Sequence, residues 1–148
     1  MADRPDIRLT PDEQRAFLRT HRKGALATLD RDGYPHVVAM NFCARDGAFW
    51  VTSYGKAQKV VNVRRNPKVA LMIETGDRYD DLQGVMVRGR CEIIEGAEAV
   101  ERVFAWMAED RGERRSPGAA RSAPKRVVLK IVPDKTVTWD HTKLAGRY

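Results

Sequence analysis

Alternating apolar and polar positions dominate the first half of this chain and predict a run of short β-strands. Segments rich in apolar, β-branched and aromatic residues at 25–29, 35–42 and 48–52 are separated by two turn sequences, 30–33 and 44–47, each of which ends in Asp-Gly. Asp-Gly between such segments is a strong hairpin signal, because glycine adopts the positive φ that tight turns need. The pattern therefore predicts three consecutive antiparallel strands.

The second half of the chain carries the remaining strand patterns. A short apolar run at 69–73 is typical of a strand covered on both faces, and residues 84–94 alternate as a longer strand. Two closing strands are predicted at 126–132 and 136–140. Six or seven short antiparallel strands close most economically into a small barrel, so the predicted fold class is mainly β with flanking helices.

Three helices are predicted around these strands. Thr10 is a good N-cap, proline follows it, and Glu13 completes a capping box, which together predict a helix over residues 10–23. Apolar residues also recur with helical spacing at 56–65 and at 97–108, which predicts the second and third helices. The Asn-Pro pair after residue 65 ends the second helix.

Length and composition indicate one folded domain over residues 1–148. The chain has 43% apolar and 32% charged residues, as an ordinary globular protein does. It contains no run of about 18 apolar residues, which a membrane-spanning helix needs. Its first residues are too polar for a secretory signal, and its two cysteines have no paired spacing. These features exclude a disulfide scaffold and predict a cytoplasmic protein.

The net charge of +7 is concentrated in one part of the chain. Residues 111–130 carry seven basic side chains and one acid, and within them 110–124 is predicted to be a mobile basic loop. Such a charge attracts anions: nucleic acid, an acidic surface or a phosphorylated small molecule. A solvated loop is an equal alternative, and nucleic acid is the weaker reading because no aromatic interleaving or recognition helix accompanies the charge.

The most informative chemistry lies where the third predicted strand gives way to the second helix. The strand ends in Thr52 and Ser53, Gly55 permits a sharp bend, and Lys56 and Lys59 then share one helix face. Free backbone N–H groups and the helix dipole favour an anion there, and hydroxyls and ammonium groups complete a phosphate shell. The segment predicts a phosphate site; the alternative is two hydrated lysines on an exposed helix.

No residue pattern predicts a catalytic residue or a metal ligand. His21, His36 and His141 are scattered, and the chain has no nucleophile elbow, P-loop or dinucleotide-binding glycine motif. Cys43 and Cys91 are predicted to be small buried apolar groups. A phosphate site without an acid, base or nucleophile suggests that a bound cofactor carries the reactivity.

Taken together, these motifs resemble the pyridoxamine 5′-phosphate oxidase-like family of split β-barrels, which bind FMN or the deazaflavin F420. The matching segments are 24–42, 49–73 and 85–94, and the resemblance extends over residues 10–140. It implies an FMN-binding split barrel of six or seven strands. It also implies a homodimer with two cofactors in grooves between the subunits.

The resemblance further implies a set of cofactor-binding residues. The backbone of one strand would line the ring system, the hydroxyls and lysines of the third strand and second helix would hold the phosphate, and other side chains would pack nearby. These residues are Val38, Ala39, Met40, Asn41, Thr52, Ser53, Lys56, Lys59, Asn62, Met72 and Trp139. The C-terminal tail 141–148, with His141 and Lys143, would close the groove from the partner subunit. Alternatives are Met72 in the core and Trp139 as a plug of the barrel end.

The expected function is an oxidoreductase. It would transfer hydride between bound FMN, or alternatively F420, and a small organic acceptor such as an enone, a quinone or a tetrapyrrole. The sequence has no recognisable Arg/His substrate clamp of the namesake oxidase near its C-terminus, so vitamin B6 oxidation is not expected. The alternatives are a non-enzymatic carrier or sensor of an anionic ligand and, less favoured, a basic barrel that binds nucleic acid.

Overall fold

The computed structural model of the chain describes residues 4–147. Its seven strands are β1 (Lys23–Leu29), β2 (Pro35–Asn41), β3 (Cys43–Arg45), β4 (Ala48–Tyr54), β5 (Lys68–Thr75), β6 (Gln83–Ile94) and β7 (Arg126–Asp140). Its four α-helices are α1 (Pro11–Thr20), α2 (Gln58–Arg65), α3 (Ala97–Arg111) and α4 (Pro117–Ser122). No helix in this part of the chain is long and apolar enough to cross a membrane.

The seven strands form one antiparallel sheet in the order β2-β1-β5-β6-β7-β4-β3. The sheet curls into a half-barrel, so the predicted fold class, mainly β with flanking helices, is confirmed. Its two edge strands, β2 and β3, are consecutive in the chain and are joined at Phe42, which is buried. Burial of apolar side chains inside this curve is the main stabilising term of the fold.

Two clusters of buried side chains lie on opposite faces of the sheet. The larger fills the half-barrel and includes Leu26, Leu71 and Val85, all fully buried. The smaller packs α3 against the outside of β4 and β7, with Val100 and Val128 at its centre. The first helix begins as predicted: Thr10 Oγ1 accepts from the Glu13 N–H, and Glu13 Oε1 accepts from the Thr10 N–H.

The prediction of two closing strands is wrong, because β7 is one strand of 15 residues. Its Pro133 lies opposite Gly89, where the register between β6 and β7 shifts at a β-bulge. A side chain at Gly89 would collide with the Val132 carbonyl oxygen, so the bulge depends on glycine. The bulge accommodates the Pro-Asp pair that lies between the two predicted strands.

The prediction of a loop over 110–124 is wrong for most of that range, because only residues 112–116 lie outside a helix or a 3-10 turn. Helix α3 continues to Arg111, and α4 follows with Ser116 Oγ accepting from the Gly118 N–H at 3.1 Å. A 3-10 turn, Ala123–Lys125, leads into β7. Arg45 on β3 anchors the end of α3 through a bond of 2.6 Å to Asp110 Oδ1. The small residues and the Ser-Pro pair that suggested a loop are an N-cap and a first helical turn.

Candidate functional site

The C-terminal end of β4 and the start of α2 bring the predicted phosphate-binding residues into one place. The Tyr54 carbonyl accepts the Ala57 N–H at 3.0 Å, and this tight turn leads directly into α2. Ala57 at the N-cap offers no side-chain acceptor to the first turn of that helix. The amide groups of this turn are thus not capped by a side chain, which is the condition under which a helix start favours an anion.

Ser53 and Lys59 are in contact at this turn. Lys59 Nζ donates to Ser53 Oγ at 3.4 Å; Ser53 is buried and the lysine is half-buried. Burial, followed by the nearby positive charge of Arg126, lowers the pKa of the Lys59 ammonium group. Within residues 4–147 no carboxylate pairs with Lys59. A partly desolvated ammonium group without a counter-ion is a favourable place for an anion.

Arg126 adds a second cation that the sequence did not single out. It is the first residue of β7, directly opposite Tyr54 on β4, and its guanidinium lies 4.1 Å above the Tyr54 ring and 5.6 Å from the Phe104 ring. Its Nε is buried and has no hydrogen-bond partner in the described chain. In the sequence Arg126 is one of many basic residues, and only the β4–β7 register places it beside the lysine.

These observations test whether the site suits the phosphate of a cofactor. The positive charge of Arg126 acts on Lys59, and no acid among the described residues forms an ion pair with either side chain. The buried Nε–H of Arg126 has no acceptor in the described chain. Buried donors in native proteins are almost always satisfied. An anionic group with several acceptor oxygens therefore fits Ser53 and Lys59, with the positive charge of Arg126 nearby.

Thr52 and Lys56 do not join the contact between Ser53 and Lys59. Side chains alternate along β4, so Thr52 lies on the face opposite Ser53, where its cross-strand neighbour is Val128 of the α3 cluster. Lys56 is exposed and lines a neighbouring cavity. The structure thus brings two of the four predicted phosphate-binding residues together.

Asn62 fixes α2 to the sheet. Its side chain is fully buried, its Nδ2 donates to Thr28 Oγ1 at 3.0 Å, and its Oδ1 accepts from Gln58 Nε2 at 2.7 Å. Arg65 adds a bond of 2.7 Å to the Leu29 carbonyl. These bonds tie one face of α2 to β1, which sets the position of Lys59. Asn62 is a positioning residue with no access to a ligand.

The strand predicted to line the ring system is β2, an edge strand that pairs only with β1 among the described strands. Val38 and Met40 are half-buried and face the barrel, whereas Ala39 and Asn41 are exposed. The outer edge of β2 therefore carries backbone N–H and C=O groups with no ladder partner. Such groups can bond a planar heterocycle in the manner that the resemblance implies.

Met72 and Trp139 lie on the outer face of the sheet. Met72 belongs to a row of apolar side chains directly opposite one another across five strands, which we call the outer apolar row: Ala39, Ala25, Met72, Met86 and Val137. Met72 is 38% exposed and Val137 39%. Trp139 lies two residues farther along β7, directly opposite Gly84. Its ring occupies the space that a side chain at Gly84 would need. Met72 is thus not a core residue.

The C-terminal segment is bound to its own chain. His141 Nδ1 lies 2.6 Å from the Tyr79 carbonyl, and Lys143 Nζ donates to Glu13 Oε1 and to the Arg8 carbonyl, both at 2.7 Å. Residues His141–Leu144 form a 3-10 turn whose Leu144 is buried. The predicted tail is therefore a folded part of the same chain up to residue 147, and residue 148 lies outside the described residues. These contacts hold His141 and Lys143 against their own chain.

The two cysteines offer no nucleophile. Both are buried, and burial raises the pKa of Cys43 and of Cys91 to about 12. No group of histidine, cysteine or acidic side chains suitable for a metal ion occurs within residues 4–147. The arrangement can therefore bind and orient an anionic ligand, and the described side chains include no activated thiolate or metal centre.

We expect both thiols to react slowly with Ellman's reagent at pH 8. At a pKa of about 12 the thiolate fraction at that pH is roughly 10⁻⁴, and only the thiolate attacks the disulfide. The native protein should release thionitrobenzoate at least about 100-fold more slowly than the protein unfolded in urea. Rapid release of one equivalent from the native protein would contradict the burial of these thiols.

Comparison with known proteins agrees with the split-barrel fold of this chain. The family model described as pyridoxamine 5′-phosphate oxidase matches residues 10–140. The chain is 38% identical to the conserved hypothetical protein Rv2991 from Mycobacterium tuberculosis, over 100% of this chain and 95% of that one, with a TM-score of 0.87. It is 25% identical to an F420 reductase, over 82% and 94% of the two chains, with a TM-score of 0.67. A FAD-binding protein from Mesorhizobium loti, 21% identical over 88% and 94% with a TM-score of 0.66, shares the fold. The search of curated proteins finds no match.

Proposed function

We propose, because this chain belongs to the pyridoxamine 5′-phosphate oxidase-like family, that it is an oxidoreductase working with a flavin-type cofactor. The proposed cofactor is FMN, with F420 as the alternative, and the proposed reaction is hydride transfer between that cofactor and a small organic acceptor. Enones, quinones and tetrapyrroles are the acceptor classes we consider. The F420 reductase among the similar structures supports a redox cofactor of this type.

One observation carries the proposal: the contact between Lys59 and Ser53, with Arg126 close by and no described acid to neutralise them. The phosphate end of FMN or F420 has the charge and the acceptor oxygens that these groups lack. In this arrangement Lys59 supplies the counter-charge, the Ser53 hydroxyl a hydrogen bond, and Asn62 holds α2 in position.

The residues of this chain bind and orient rather than react. When bound, FMN or F420 supplies the hydride chemistry. The unpaired edge of β2 would offer its backbone groups to the polar edge of the ring system, and those groups would stabilise negative charge that develops there. The apolar residues around the ring would exclude water from the reacting atoms. This division of roles is consistent with the lack of an activated thiolate in the described chain.

We further propose that the protein works as a homodimer through the outer apolar row. Five apolar side chains in line across the sheet form a surface that a second copy would cover, and Val37 beside them is 59% exposed. Met72 and Trp139 lie on that outer face, whereas Ser53 shares the inner face with its cross-strand neighbour Val127. Pairing two copies would let Met72 and Trp139 of one subunit complete the ring pocket of the other.

A parallel titration of the purified apo-protein with FMN and with F420 tests the proposal. Both cofactors fluoresce, so saturable changes in emission report binding, and the tighter of the two ligands identifies the cofactor. The loaded protein is then reduced chemically and offered an enone, a quinone and biliverdin, with reoxidation followed by absorbance. Saturable binding of FMN or F420 and reoxidation by one acceptor are the expected results.

The other outcomes identify the alternatives. Binding of cofactor without reoxidation by any acceptor would support a carrier or sensor in place of an enzyme. Failure to bind either cofactor, together with a salt-sensitive shift of DNA or RNA, would support the basic nucleic-acid-binding barrel. The Ser53–Lys59 geometry predicts that a cofactor binds, so the nucleic-acid result is not expected from it.

A further inference from the structure

The outer apolar row separates the charged side chains of the outer face into two groups of opposite sign. Side chains two residues apart on a strand share a face, so the outer face of β5 presents, in order, Lys68, Ala70, Met72 and Glu74. Lys68 and Glu74 are about 20 Å apart along the strand. A cation therefore lies on one side of the row and an acid on the other.

The side of the row that holds Lys68 carries an excess of positive charge. Its four cations, which we call the basic end, are exposed: Lys68, Arg88, Arg90 and Lys135. Arg88 lies directly opposite Ala70 on β5 and Lys135 on β7, and Arg90 lies opposite Lys68. The acid Asp134 lines the same hollow, but none of the four cations makes an ion pair within residues 4–147.

The other side of the row carries an excess of negative charge, on the end of β5 and on the loop to β6. Its four acids, which we call the acidic end, are all exposed: Glu74, Asp77, Asp80 and Asp81. Lys23 and Arg78 are the cations nearest to them in the sequence of β1 and of the loop, and Arg78 is bonded to Asp80 at 3.2 Å.

The four acids differ in what they already bind. Asp81 Oδ1 accepts the N–H groups of Asp77 and Arg78, which fixes the loop. Glu74 and Asp77 make no ion pair within the described part of the chain. Two carboxylates of the acidic end are thus available to cations from outside the chain.

We propose that two copies of this chain pack outer face to outer face in opposite directions, with the basic end of each copy on the acidic end of the other. This inference rests on the homodimer proposed above and adds its orientation. The occupant of this face is a second copy because the same surface carries both signs of charge on either side of one apolar row, so it is complementary to itself.

The strand registers show which charges would meet. A two-fold axis that runs along the outer apolar row turns one copy end for end. Arg88 lies one step from the row on one side and Glu74 one step on the other, so the rotation brings Arg88 over the partner's Glu74. Lys68, one step farther out, comes over the partner's loop at Asp77. An axis along the strands would instead set acid on acid and cation on cation, which is unfavourable.

Charge reversal in two matched pairs tests this orientation on the full chain. Lys68→Glu with Arg88→Glu reverses the basic end, and Glu74→Lys with Asp77→Lys reverses the acidic end; all four positions are exposed and lie outside the predicted cofactor-binding residues. Each double variant is expected to raise the dimer dissociation constant at least about tenfold, because every contact occurs twice in a two-fold dimer. Sedimentation velocity at low salt measures it.

The chain that carries all four substitutions is the decisive control. It has the net charge of the wild type, and in the proposed orientation its reversed ends attract again, so its dimer should be within about threefold of wild-type strength. Raising the salt concentration should weaken the wild-type dimer, because screening reduces attraction between exposed charges. Recovery in the fourfold variant also shows that the double variants lose the dimer through charge and not through misfolding.

Three results would overturn the proposed orientation. The first is a wild-type dimer that neither double variant weakens. The second is a double variant that dimerises more tightly, which would mean that like ends meet. The third is a fourfold variant that stays monomeric. A wild-type protein that is itself monomeric would overturn the homodimer, and FMN or F420 titration of the wild type tests the cofactor site separately, so the failures are distinguishable.

Discussion

Lys59→Ala is expected to lower the affinity for FMN or F420 by about 10- to 100-fold. A charge-assisted hydrogen bond to phosphate contributes about 1.5–3 kcal/mol, and Lys59 is the group that faces Ser53 without a carboxylate partner in the described chain. Burial and Arg126 already disfavour its charged form, so a bound anion gains more from it than from an exposed lysine. Fluorescence titration of the variant against the wild type measures the change.

Two further variants show whether the loss comes from the phosphate contact. Lys59→Arg keeps the charge and should recover part of the affinity, since a guanidinium also bonds phosphate. Arg102→Ala removes a cation that is exposed on α3, with only a 3.9 Å pair to Glu98, and should leave the affinity unchanged. An equal loss in Arg102→Ala would indicate a nonspecific effect of net charge, and unchanged binding by Lys59→Ala would contradict the proposed site.

Local sequence chemistry was sufficient for the turn that holds this site. Ser53, Gly55 and Lys59 lie within seven consecutive residues, so the contact of Ser53 with Lys59 depends on few long-range pairings. The capping box at Thr10 and Glu13 is equally local, and it forms as predicted. The structure of a segment of about seven residues can be predicted from its own sequence, because local backbone conformation and hydrogen bonds between near neighbours determine it.

Features that depend on distant segments were not visible in the sequence. Arg126 reaches the site only because β7 pairs with β4 in the register that sets it opposite Tyr54. The sequence predicts a turn where the short strand β3 forms, because three residues show no periodicity of their own. The outer apolar row likewise exists only through the registers of four strand pairs, and its members are spread from Ala25 to Val137. Cross-strand neighbours come from topology, which one-dimensional patterns do not encode.

Val137→Asp is expected to convert the proposed homodimer into a monomer and to weaken cofactor binding with it. Val137 ends the outer apolar row, beside Met86, and is 39% exposed in the single chain, so the substitution should not disturb folding. In a two-fold interface each substitution occurs twice, and burying an unpaired carboxylate there costs about 3–5 kcal/mol. The dimer dissociation constant should rise by about 100-fold or more, which sedimentation velocity over a range of concentrations measures.

Val132→Asp is the matched control for this effect. Val132 lies on the same strand and is 37% exposed, but its cross-strand neighbour is Arg90, a cation that would accommodate the new carboxylate. A dimer that survives Val132→Asp and is lost in Val137→Asp would assign the interface to the apolar row rather than to β7 in general. If Val137→Asp stays dimeric and still binds cofactor, the outer face is not the interface. The proposal that Met72 and Trp139 of one subunit complete the ring pocket of the other through this face would then fail, and the cofactor would be held by β2, Ser53 and Lys59 without it.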